Sequence, residues 1–131
     1  MKTRILVVDD LADFTRVMRM CLELDGEFEV REVNDAPHAA KAAREFHPDV
    51  VLLDIMMPTM SGMEVAQCFQ NDAGLKRIPI VFLSCLIGAE GQGSPAELPV
   101  SCPHAFLSKS VPASVLLAQI KKVAREAVEG D

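Results

Sequence analysis

The chain has 131 residues, half of them hydrophobic and 24% charged, with a net charge of -6. That length suits one domain with a single core, and the composition is that of a globular rather than a disordered protein. The acidic balance disfavours nucleic acid and anionic lipid as partners and suits a site that binds a cation.

Ile5-Leu6-Val7-Val8 is a short apolar run that ends on Asp9-Asp10. It reads as a strand buried on both faces. Only four apolar residues separate Arg4 from the aspartates, too few for a signal peptide or a membrane span, so the expected location is the cytoplasm. Leu11 to Leu24 follows with Leu11, Phe14, Val17, Met18, Cys21 and Leu22 at helical spacing, and Asp25-Gly26 is its stop signal. Phe28 to Val33 reads as a second strand. Asn34-Asp35-Ala36-Pro37 can cap an Ala-rich helix that runs to Phe46, and Pro48 marks its exit.

Val50-Val51-Leu52-Leu53 is a third strand, again ending on an aspartate, Asp54. Ser61 and Glu64 have the spacing of a capping box, opening a helix that ends near Asp72-Ala73-Gly74. Pro79 to Leu83 is a fourth strand closing on Ser84, and Ala105 to Ser108 a fifth closing on Lys109. Pro112 to Val128 is a final amphipathic helix with Val115, Leu116, Ile120, Val123 and Ala124 facing inward. Between the last two strands, Leu86 to His104 holds Gly88, Gly91, Gly93, Pro95, Pro99 and Pro103. This composition opposes the helix an alternating fold would place there, so a mobile loop replaces or shortens it. The four cysteines, Cys21, Cys68, Cys85 and Cys102, contain no C-x-x-C pair and read as buried free thiols. Met56, Met57, Met60 and Met63 read as packing residues.

Alternating strands and helices imply an α/β fold with a parallel sheet and right-handed crossovers. Sites in such sheets lie beyond the carboxyl ends of the strands. Asp9, Asp10, Asp54, Ser84 and Lys109 all stand there. Each has a bland reading alone: a turn, a loop serine or a solvated lysine. Together they fit one mechanism. Crowded carboxylates favour a divalent cation, and oxygen-only ligands point to Mg2+ held by Asp10 and Asp54, with Asp9 acting through water. Asp54 would be the nucleophile in phosphoryl transfer, while Lys109 and Ser84 would hold phosphoryl oxygens.

The residues Val7-Val8-Asp9-Asp10, Leu53-Asp54-Ile55-Met56-Met57-Pro58-Thr59-Met60-Ser61-Gly62, Pro79 to Ser84 and Ala105 to Lys109 resemble the receiver domain of bacterial two-component response regulators, in its single-domain, chemotaxis-regulator-like form. The resemblance covers essentially residues 1–131 as one domain. It implies a flavodoxin-like, doubly wound five-stranded parallel sheet of order 2-1-3-4-5. It also implies Asp54 as acceptor, Mg2+ on Asp10, Asp54 and the Met56 backbone carbonyl, and a switch through Ser84 and Phe106. The implied partners are a histidine kinase or phosphotransfer protein and a downstream protein of unspecified kind, with phosphorylation-dependent homodimerisation seen in many members. The implied chemistry is limited to the chain's own phosphorylation and slow dephosphorylation. No effector segment is read after the last helix in residues 1–131, so the chain is expected either to act alone by protein contact or to be one domain of a longer protein.

The chain departs from the family pattern at Phe106, which lacks a hydroxyl, at Ser110, which replaces a proline and leaves the Lys109–Ser110 bond open between cis and trans, and in the Gly/Pro-rich stretch. Two alternatives stand beside a working receiver. One is an interaction module with the same fold that is never phosphorylated. The other is an aspartate-nucleophile phosphatase, for which Met56 stands where a general acid is needed. Met56 and Leu86 are both apolar and cannot orient an attacking water, so a phosphoaspartate lasting minutes or longer is expected.

Overall fold

Apolar residues on both faces make the three central strands the frame of the molecule. In the computed structural model, which describes residues 2–24, 26–84, 105–109 and 111–129, the elements follow in order. They are β1 (Thr3–Val8), α1 (Ala12–Glu23), β2 (Phe28–Val33), a 3-10 turn (Ala36–His38), α2 (Ala39–Phe46), β3 (Val50–Asp54), α3 (Gly62–Gln70), β4 (Ile80–Ser84), β5 (Ala105–Ser108) and α4 (Ala113–Glu129). The strands form one parallel five-stranded sheet in the order β2-β1-β3-β4-β5, the order expected. The strand alternation then sorts the core. Leu6, Val8, Val51, Leu53, Ile80 and Phe82 meet α2 and α3 on one face. Ile5, Val7, Val50, Leu52, Val81 and Leu83 meet α1 and α4 on the other.

Local chemistry sets the corners. Gly26 takes φ +73 and donates its N–H to Glu23, ending α1 in a conformation that glycine adopts freely. At the start of α3 the Ser61 hydroxyl accepts from Glu64 N at 3.2 Å, and the Glu64 carboxylate accepts from Ser61 N at 3.4 Å, which is the expected capping box.

Several expectations on the helices are corrected. The buried stripe of α1 is Thr15, Met18 and Leu22, whereas Leu11 and Val17 are exposed and Cys21 is half-buried. The helix starts at Ala12, with Leu11 outside it, and only a narrow arc faces the sheet. Before α2, Asp35 forms no side-chain cap, and Pro37 opens a 3-10 turn instead. On α4, Leu116, Ile120 and Ala124 are buried while Val115 is exposed. Cys68 is exposed, because α3 turns Val65, Ala66 and Phe69 inward. Met57, Met60 and Met63 pack on the core as expected, but Met56 is exposed. The expected loop over Leu86 to His104, its mobility, Cys85 and Cys102 lie outside the described residues. Among those residues no helix is long and apolar enough to cross a membrane.

Candidate functional site

The carboxyl ends of β1, β3, β4 and β5 lie side by side, and the expected residues meet there. Asp9 follows β1 and is fully buried; Asp54 ends β3 and is 5% exposed; Ser84 ends β4 and is buried. Asp10 is exposed at the rim. Asp9, Asp10 and Asp54 each offer a carboxylate oxygen, and these oxygens lie within 4.8 Å of one another. The Lys109 ammonium reaches into this cluster, 2.5 Å from Asp9 Oδ2 and 3.4 Å from Asp54 Oδ1, with its side chain 7% exposed. Lys109 N donates to Ser84 O at 3.1 Å, which roots the side chain beside β4. The amine thus reaches the site. The Lys109–Ser110 bond, the Phe106 side chain and Leu86 lie outside the described residues.

Asp9 is fixed at every polar atom. Its N–H donates to Val33 O, its carbonyl accepts from Asn34 Nδ2 at 2.9 Å, and Oδ1 accepts from Leu11 N at 3.0 Å. Asn34 Nδ2 also donates to the hydroxyl of fully buried Thr15, which lies 2.8 Å from Glu32 Oε1. This chain of bonds ties the β1–α1 corner to β2. Both carboxylate oxygens of Asp9 are thus engaged by protein donors, whereas Asp10 faces water.

Asp54 is electrostatically perturbed. Burial, then the neighbouring Asp9 charge, raises its carboxyl above the ordinary carboxylate range. The Lys109 charge and hydrogen bond, and the Met56 backbone N–H, oppose that rise. The result is a desolvated carboxylate stabilised by one fixed cation. Behind it, Gly62 N donates to Ile55 O at 2.9 Å, so α3 starts directly against the backbone that carries Asp54.

Two contributors carried no signal as site residues. The Phe14 ring lies under the Lys109 ammonium, 4.3 Å from the ring centroid, although its spacing marked it only as core. Asn34 looked like part of a helix cap, and its bond to Asp9 depends on the pairing of β1 with β2.

This geometry agrees with the comparisons. The response regulator receiver domain family matches residues 5–121, and the chain belongs to that family. The response regulator PleD of Caulobacter vibrioides is 35% identical over 126 residues, covering 95% of this chain and 27% of PleD. The DNA-binding response regulator MtrA of Mycobacterium leprae is 40% identical over 84 residues, covering 64% of this chain and 36% of MtrA. The chain thus spans between a quarter and two fifths of the length of these relatives. In fold it is similar to a CheY-like receiver domain protein of Methanospirillum hungatei, with TM-score 0.79 and 21% identity over the whole of both chains. It is also similar to the chemotaxis protein CheY4 of Vibrio cholerae, with TM-score 0.77 and 24% identity over 94% of this chain and 99% of the other. Asp9, Asp10, Asp54 and Lys109 together make an acidic pocket consistent with a phospho-accepting receiver.

Proposed function

We propose that Asp54 is the phosphoacceptor, charged by a histidine kinase or phosphotransfer protein, and that Mg2+ binds beside it. The observation that carries this reading is the pairing of a buried carboxylate with a buried ammonium, 3.4 Å apart, inside a cluster of three carboxylates.

The donor set fits magnesium. All candidate ligands are oxygens, and exposed Asp10 leaves room for the waters that this ion keeps. Asp10, Asp54 and the Met56 carbonyl would hold it, with Asp9 behind. When bound, the ion supplies charge neutralisation between Asp54 and an anionic phosphoryl donor.

The chain's own residues do the rest. Ionised Asp54 attacks phosphorus through a carboxylate oxygen as the bond from phosphorus to the donor's imidazole nitrogen breaks. Lys109, already within reach of Asp54, follows charge onto the transferred group and pairs with one of its oxygens. Ser84 offers its hydroxyl to another, and Phe106 repacks in response. Residues 1–131 act as one receiver unit in the cytoplasm, passing the signal by protein contact, including self-association on phosphorylation.

The test is intact mass after incubation with acetyl phosphate and Mg2+. Wild type gains one phosphoryl group, and Asp54→Ala does not. No gain in wild type from either acetyl phosphate or a phosphorylated kinase would overturn the reading in favour of an unphosphorylated interaction module.

A further inference from the structure

The Lys109 ammonium has two described neighbours from the same corner of the fold. Asp9 closes β1, and Phe14 stands on the first turn of α1, its N–H donating to Leu11 O. Leu11 in turn donates its N–H to Asp9 Oδ1, so the carboxylate and the backbone that carries the ring are both tied to Leu11. The ring is packed into the core layer between the sheet and α1–α4. Its face lies 4.3 Å from Nζ of a lysine that is almost wholly removed from water.

We propose that Phe14 is a positioning residue for the phosphorylation reaction. It seats the Lys109 ammonium by a cation–π contact and holds it within reach of Asp54 and the incoming phosphoryl group. This rests on the reading of Asp54 as phosphoacceptor. A carboxylate attracts an ammonium from any direction, and Asp9, at 2.5 Å, lies nearer to it than Asp54 does, at 3.4 Å. Asp9 alone would draw the flexible lysine stem toward itself. The ring adds a directional restraint, because its negative potential is concentrated over the face. Desolvation strengthens that restraint, and Lys109 is desolvated. A hydrocarbon of the same size would fill the space and leave the ammonium free to swing.

The experiment replaces Phe14 with mono-, di- and trifluorinated phenylalanine, and with Leu and Tyr. Fluorine drains the ring face of electron density while keeping its shape nearly constant. The rate of acetyl phosphate phosphorylation is expected to fall stepwise with fluorination, by about tenfold at the end of the series. Phe14→Leu matches the slowest member and Phe14→Tyr keeps the wild-type rate. Urea unfolding midpoints fall in the same order, because the contact belongs to the resting folded state, and the rates are read without urea, where every variant is folded. A flat rate across the series, with wild type phosphorylated normally, overturns the proposal. If wild type accepts no phosphoryl group, the function reading fails, and the seat is judged by NMR of the Lys109 ε-methylene. Ring-current shielding that disappears in Phe14→Leu supports it, and an unshielded methylene in wild type overturns it.

Discussion

Replacing Gly62 with Ala tests how tightly the acceptor strand is held from behind. Gly62 is buried at the start of α3, with its N–H bonded to Ile55 O. A Cβ built there would lie 2.8 Å from Ile55 Cα and 3.0 Å from the Asp54 carbonyl carbon, and would press on the Asp54 carbonyl oxygen. All three are backbone atoms, so no side-chain rotation relieves the clash, and either α3 or the end of β3 must move. Overpacking of this kind costs roughly 1–3 kcal/mol, against a helix-propensity gain from Gly to Ala of at most about 1 kcal/mol. The net expectation is a destabilisation of about 1–2 kcal/mol, read as a lower urea midpoint at unchanged slope. The functional loss should be larger, because displacing a reacting group by about 1 Å can cost on the order of a hundredfold in rate. Phosphorylation by acetyl phosphate, followed by intact mass, should therefore slow at least tenfold, by roughly this same positional reasoning. A Gly62→Ala protein with wild-type stability and rate would refute the reasoning, since it would mean that the turn from Ile55 to Ser61 absorbs the added carbon without moving Asp54.

Asp54→Asn should stabilise the metal-free protein at neutral pH. The raised folded-state value of Asp54 gives a contribution that is complete below the unfolded value near 3.8 and is lost as pH rises through the folded value. Thermal melts in chelator should show wild type falling behind Asp54→Asn across that window, and parallel curves would contradict it. Lys109→Met should abolish phosphorylation and cost about 3–5 kcal/mol, because it leaves Asp9 buried without its cation. Adding Asp9→Asn should recover part of that stability in urea titrations, and no recovery would show that the pair is not the cause. The phosphorylated protein should keep its phosphoryl group for minutes or longer. Exposed Met56 offers no group to orient a hydrolytic water, and a lifetime of seconds by mass would remove that explanation.

The three central strands were legible because burial on both faces writes unbroken apolar runs. Phe28–Val33 and Ala105–Ser108 have the bounds read from the sequence, and the aspartates, serine and lysine at strand ends follow from the rule that parallel sheets place sites there. Helix faces were less legible. Thr15 is wholly buried because Glu32 and Asn34, both from the β2 side, satisfy its hydroxyl, while the apolar Val17 beside it points to water. Hydropathy orders these two residues the wrong way, since a polar group can be buried when partners from another element reach it. Phe14 was legible as core and illegible as a partner of Lys109, because that contact exists only once β5 has docked beside β4. The Met56 side chain was misread as packing because the turn that follows β3 directs it outward.

The ion pair between Asp9 and Lys109 joins residues 100 positions apart. Contacts of such separation form late, because chain entropy must be lost before they return anything. During synthesis the carboxylates leave the ribosome first and fold onto β1 and β3 while the lysine is still unmade. Until β5 is in place, the three crowded carboxylates have no Lys109 ammonium among them. The charge balance of the pocket is in this way completed only by the pairing of β4 with β5, the strand that leads into Lys109.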